Sequence, residues 1–144
     1  MKTIMQLSSK HYDGGVCTAI CTISSQDISV QLDLEKDSAT GDEFSLFEEK
    51  VIKMLARYES KQEVILNQAV KEIVNAAYEQ TEHQPSKHDY LNLKADMELE
   101  EIYAFSDGLV LTFLSPQHYP DFDITIQLSK RAVIEDVCLN EKEK

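Results

Sequence analysis

The sequence predicts an α+β domain: an antiparallel sheet of about six or seven strands with a helix pair packed on one face, in the order β-β-α-α-β-β-β-β. Three observations predict it. Residues 16–34 are rich in β-branched side chains and pass into strict alternation of apolar and polar positions. Residues 42–81 switch to the spacing of amphipathic helices. From residue 101 the two-residue period returns and continues to residue 139.

The first paired strands are Val16–Ile23, entered from the turn Asp13-Gly14-Gly15, and Ile28–Leu34, with Ser25-Gln26-Asp27 as the hairpin loop. Alternation puts Ile28, Val30, Leu32 and Leu34 on the buried face. Residues 3–8 supply a further, weaker strand. Phe44, Phe47, Val51, Leu55 and Tyr58 then mark the apolar stripe of one helix. Ser60-Lys61-Gln62-Glu63 spells a capping box, which predicts a break at Glu59-Ser60 and a second helix carrying Leu66, Val70, Ile73 and Ala77. Polar residues and Pro85 make 82–96 a connection. Four strands follow as a meander: Glu101–Ser106, Leu109–Leu114 after the hairpin signal Asp107-Gly108, Phe122–Leu128, and Ala132–Leu139. The tail from Asn140 to Lys144 is expected to fray.

A chain of 144 residues fits one domain, spanning 1–144, and at that length folding buries roughly 68–70% of the surface of the unfolded chain. With 42% apolar and 28% charged residues it has the composition of a globular protein, which excludes disorder. The charge is the unusual feature. Asp and Glu number 26 against 14 Lys and Arg, and residues 85–144 hold half of the resulting net charge of −12. A field of that sign repels phosphate backbones and anionic lipid, so neither nucleic acid nor membrane is expected as a partner; it attracts a basic protein partner.

Three cysteines, Cys17, Cys21 and Cys138, form an odd set in a chain that needs no disulfide staples, and they read as free thiols. The apolar stretch at the N-terminus is interrupted by Gln6 before a signal segment forms, so a cytoplasmic location is expected. Cys17 and Cys21 on one strand lie about 13 Å apart, too far to share a zinc ion. His11, His83, His88 and His118 fall in loops or turns without metal or nucleophile spacing. No phosphate-cradling glycine loop is present. Asp121 and Asp123 share one face of a strand at about 6.6–7 Å, within reach of an acid and base pair, but spacing alone supports that use. The expectation is therefore binding and not catalysis, with no cofactor and no metal site.

The remaining cluster is acidic. Asp96, Glu98, Glu100 and Glu101 precede or open one strand, and Asp107, Asp121 and Asp123 lie in a turn and beside a neighbouring strand, with Tyr103 and Tyr119 close in sequence. Acids around a rigid aromatic side chain suit docking on a basic cleft. The partner-binding surface is accordingly placed at Glu100, Glu101, Asp107, Tyr119, Asp121 and Asp123. The competing site is the helix pair with Glu48, Glu49, Glu59 and Glu63 exposed, where interleaved Lys50, Lys53, Arg57 and Lys61 dilute the field.

Several of these motifs carry a resemblance: the Gly14-Gly15-Val16 strand entry, the helical Phe44, Phe47 and Tyr58, Leu99-x-x-Ile102, Asp107-Gly108-Leu109-x-Leu111-x-Phe113, and Asp123–Leu128 ending in Val137-Cys138-Leu139. With this pattern the chain resembles small acidic bacterial domains related to immunity proteins of polymorphic or contact-dependent toxin systems. The resemblance implies an immunity protein that neutralises a cognate toxin domain, a nuclease in view of the charge, by covering its basic active-site cleft. An acidic secretion-type chaperone binding a client protein is the alternative, and an enzyme of unrecognised class the third reading.

Overall fold

The computed structural model describes residues 5–142. The tight turn at Gly14-Gly15 sets the first register, pairing Asp13 with Val16 and Tyr12 with Cys17. Strand β1 (Ser8–Asp13) therefore lies beside β2 (Val16–Ile23), later in the chain than the strand expected at residues 3–8, of which 3 and 4 lie outside the described residues. The hairpin turn, and not the weak apolar character of Ile4, Met5 and Leu7, decides where this strand forms. Gly15 is required by packing: a Cβ there would lie 1.8 Å from the carbonyl oxygen of Lys36. The next turn is Ser24-Ser25, with φ of 50° and 68°, so β3 (Gln26–Asp33) begins two residues ahead of the expected strand. Positive φ at both central residues is the hairpin geometry that matches strand twist.

The long helix α1 (Gly41–Tyr78) runs 38 residues without interruption, or about 57 Å at 1.5 Å per residue. Thr40 caps it, accepting a hydrogen bond from the Glu43 amide at 3.2 Å while the Glu43 carboxylate accepts one from the Thr40 amide at 3.2 Å. The break predicted at Glu59-Ser60 is absent. Ser60 Oγ instead donates back to the Arg57 carbonyl at 2.9 Å, and Glu63 pairs with Lys94 at 2.6 Å. Ser and Glu are tolerated in a helix interior, and nothing between Tyr58 and Ile65 forces the backbone out of helical geometry. The second helix, α2 (Lys87–Asp96), occupies the segment expected to be a connection. Ser86 and Asp89 form its capping box, but only Leu93 is buried, so no apolar stripe announces it.

Strands β4 (Glu98–Phe105), β5 (Gly108–Ser115), β6 (Tyr119–Ser129) and β7 (Ile134–Glu141) complete one seven-stranded sheet in sequence order. Every neighbouring pair is antiparallel except β3 and β4, which are parallel and joined by the helical crossover. The last strand starts two residues later than expected because Ser129 closes a turn, its carbonyl accepting from the Ala132 amide and its amide donating to the Val133 carbonyl, both at 2.9 Å. Asn140 and Glu141, expected to fray, are paired with Asp123 and Phe122, and the Lys142 amide reaches the Asp121 carbonyl at 2.9 Å.

The α+β class, with two helices against one face of the sheet, is as predicted, although the predicted pair is fused into α1 and the second helix is α2. Cys17, Val30, Ile102, Leu111 and Ile126 all point to the same side, where they meet Phe47, Val51, Leu55, Val70 and Ile73 of α1 in a single core. Each large apolar side chain buried there contributes about 1.5–3 kcal/mol. The helices leave the opposite face of the sheet uncovered. No helix among the described residues is long and apolar enough to cross a membrane.

Candidate functional site

Strand alternation builds the uncovered face directly. Register aligns Thr18, Gln31, Tyr103, Val110, Gln127 and Asp136 in one row across β2 to β7, and Ile20, Ser29, Glu101, Thr112, Thr125 and Cys138 in the next. At about 4.8 Å between strands, six strands span about 24 Å. Asp27, Asp33, Glu101, Asp123 and Asp136 stand on this side. The sign of the field is uniform: strands β2 to β7 contain ten Asp and Glu and not one Lys or Arg. Backbone alternation cannot present a cation where none exists, so every Lys, Arg, Asp or Glu on the face from β2 to β7 is an acid.

Tyr103 sits near the middle of the face. Its hydroxyl donates to the Asp33 carboxylate, and its ring centroid is 6.4 Å from that of Phe105. The hydrogen bond to Asp33 is the largest cause, ahead of burial, that pushes the Tyr103 phenol up to about 12. The contact ties a half-buried aromatic to an acid in one orientation. With Phe105, Val110 and Leu114 also half-buried on this side, the centre is aromatic and aliphatic and its surroundings are acidic.

The six residues assigned to partner binding do not form one patch. Glu101 and Asp123 lie on the open face, and exposed Asp121 precedes Asp123 by two positions at the start of β6. Glu100 is the exposed extra residue where the register shifts between Leu99 and Glu101. Asp107 occupies the β4–β5 turn at the far end of that hairpin, 4.0 Å from Lys130. Tyr119 is on the helix side, packed against the core and set edge-on to Phe122 with centroids 6.5 Å apart. Tyr103 is the aromatic residue that faces the acids, and its position two residues beyond Glu101 is the sequence signal for it.

Glu48, grouped with the exposed helix acids, is buried at 9% exposure. It accepts from Tyr12 Oη at 2.7 Å and Lys10 Nζ at 3.0 Å, which pins strand β1 to α1. The bond to Glu48 drives the Tyr12 phenol up to about 12. Asp96 is also structural. One carboxylate oxygen accepts from Ser115 Oγ at 2.6 Å, from the amides of Gln117 and His118 at 3.0 Å each, and lies 3.1 Å from His118 Nδ1. These bonds, Ser115 first, hold its carboxyl down to about 2 against burial. Its stabilisation is therefore full above the ordinary 3.8 and lost as pH falls through about 2. Asp96→Asn is expected to flatten the acid limb of a melting-temperature profile between those values; an unchanged limb would contradict this role.

The cysteines are poor ligands where they stand. Cys17 and Cys21 are fully buried on the core side of β2, and burial pushes the Cys21 thiol up to about 11 and raises that of Cys17. The Cys138 thiol donates to Asp136 at 3.0 Å, which raises it. Among the described residues no group of three His, Cys, Asp or Glu side chains is arranged to hold a metal ion.

No protein-family model matches the chain, and no curated protein or solved structure matches it.

Proposed function

We propose that the protein binds a basic partner protein through the open face of its sheet, and that in doing so it acts as an immunity protein, neutralising a toxin domain by covering its positively charged cleft. The observation that carries the reading is the absence of any Lys or Arg from strands β2 to β7 beside ten acids. Nucleases hold a polyanionic substrate against basic surface, and an acidic inhibitor exploits the same attraction. Size supports it too. Strands of about eight residues at 3.3 Å each, across 24 Å, present roughly 600 Å², close to the ~800 Å² per partner of a standard interface. The half-buried Tyr103 and Phe105 supply anchors of the kind that dominate binding energy. Its three free cysteines suit the reducing cytoplasm, where such an inhibitor protects the cell that makes the toxin.

Coexpression with the toxin domain encoded beside it tests the proposal. The two should copurify, and growth should be restored. Growth arrest that persists with both proteins soluble would refute the immunity role.

A further inference from the structure

We propose a second docking site at the edge of the sheet, where β7 accepts an extended, basic segment of a partner protein as an added strand. A groove of about 560 Å³ runs between α1 and β7, lined on its apolar side by Ile73, Ala76, Ala77, Val137, Leu139 and Tyr119. Its charged lining residues are Glu72, Glu135 and Asp136, all acids. The strand beside it is fit for pairing. From Asp136 to Glu141 each β7 residue has a consecutive partner on β6, so the outer edge is regular over six positions. The opposite edge, β1, is irregular: its register shifts between Ser8 and His11, with Ser9 at φ 52°. A bulge of that kind blunts an edge against pairing, and β7 has none over this run.

Charge selects the occupant. A second copy of this chain would bring another −12 to an edge already carrying Glu135, Asp136 and Glu141. A basic segment meets the opposite field. Alternation sets its pattern: side chains on the Val137 and Leu139 side enter the apolar groove, and those between them lie beside Asp136 and Asn140 on the open face. The segment therefore alternates apolar and basic residues.

The probe is a capped peptide of alternating Val and Lys, of about nine residues so as to span β7. Added to the whole protein, it should bind saturably and slow amide exchange along β7 by ~10-fold or more. Methylating alternate peptide nitrogens removes the donors of the added strand and should weaken binding ~10-fold or more. Replacing Lys by Glu in the peptide, or Ala77→Arg in the groove, should abolish binding; Ala77 is exposed, so the fold tolerates the change. No binding by the Lys peptide, protection elsewhere but not on β7, or equal binding by the methylated or Glu peptide each overturns the proposal. Glu101→Lys, on β4 three strands away from β7, disrupts the open face and spares strand addition on β7, so failure of one reading is distinguishable from failure of the other.

Discussion

Gly108→Ala is expected to destabilise the protein by about 3 kcal/mol or more, at the upper end of what forcing an extra carbon into a packed site costs. Gly108 opens β5 opposite Ser129, and a Cβ there would lie 1.9 Å from the carbonyl oxygen of Leu128 and 3.1 Å from its carbonyl carbon. These are backbone atoms of a strand held on both sides, by β5 and β7, so no side chain can rotate away to make room. For a chain of this length the loss corresponds to a melting temperature lower by about 10 °C. Gly41→Ala is the control. Nothing lies within 4 Å of a Cβ at the first position of α1, and that change should be neutral or stabilise by about 0.5 kcal/mol. Equal melting temperatures for the two variants would refute the packing account.

The second large effect concerns the partner. Reversing Glu101 and Asp123 to Lys turns the open face from uniformly negative to mixed, and the association rate with a basic partner should fall by about 10- to 1,000-fold at low salt. The parent rate should itself fall as salt rises, because the screening length is ~10 Å at 0.1 M and ~3 Å at 1 M. The double variant should lose most of that salt dependence. Both positions are on the solvent side of their strands, away from the packed core, where substitutions usually change stability by less than about 0.5 kcal/mol. Glu49→Lys, on exposed α1 surface, serves as the comparison. If Glu49→Lys slows association as much as the pair does, the open face is not the binding surface.

The elements that alternation or a turn signal announces were legible in the sequence, and those that depend on a balance between neighbours were not. Phe122–Leu128 and Leu109–Leu114 read as strands because burial on one face imposes a two-residue period. The continuity of α1 was hidden by Ser60-Lys61-Gln62-Glu63, whose pattern is that of a cap but whose side chains bond to Arg57, Ser24 and Lys94 instead. Helix α2 was hidden for the opposite reason, since one buried leucine leaves no stripe, although Ser86 and Asp89 carry the cap spacing. Among the candidate residues, Glu101 and Asp123 follow from parity along their strands. Tyr119 was misplaced because it precedes the regular part of β6, where a register shift between Leu114 and Ser115 breaks the alternation. The burial of Glu48 has no local signature, because its partners Lys10 and Tyr12 come from a strand more than thirty residues earlier.

The one parallel pairing in the sheet divides the folding problem unequally. The antiparallel neighbours are joined by short turns, so β1 to β3 and β4 to β7 can each assemble from contacts between residues close along the chain, with little loop-closure entropy lost. Joining Ser29–Leu32 to Glu101–Ala104 closes a loop of about seventy residues that contains both helices, the largest closure in the sheet. That junction joins residues farthest apart along the chain, so substitutions that weaken it, such as Val30→Ala, are expected to slow refolding more than equally destabilising changes within either group of strands, as stopped-flow kinetics would show. During synthesis β1 to β3 leave the ribosome while their partner β4 is still unmade, and α1, which follows them directly, is the element able to shield their apolar face in the interval.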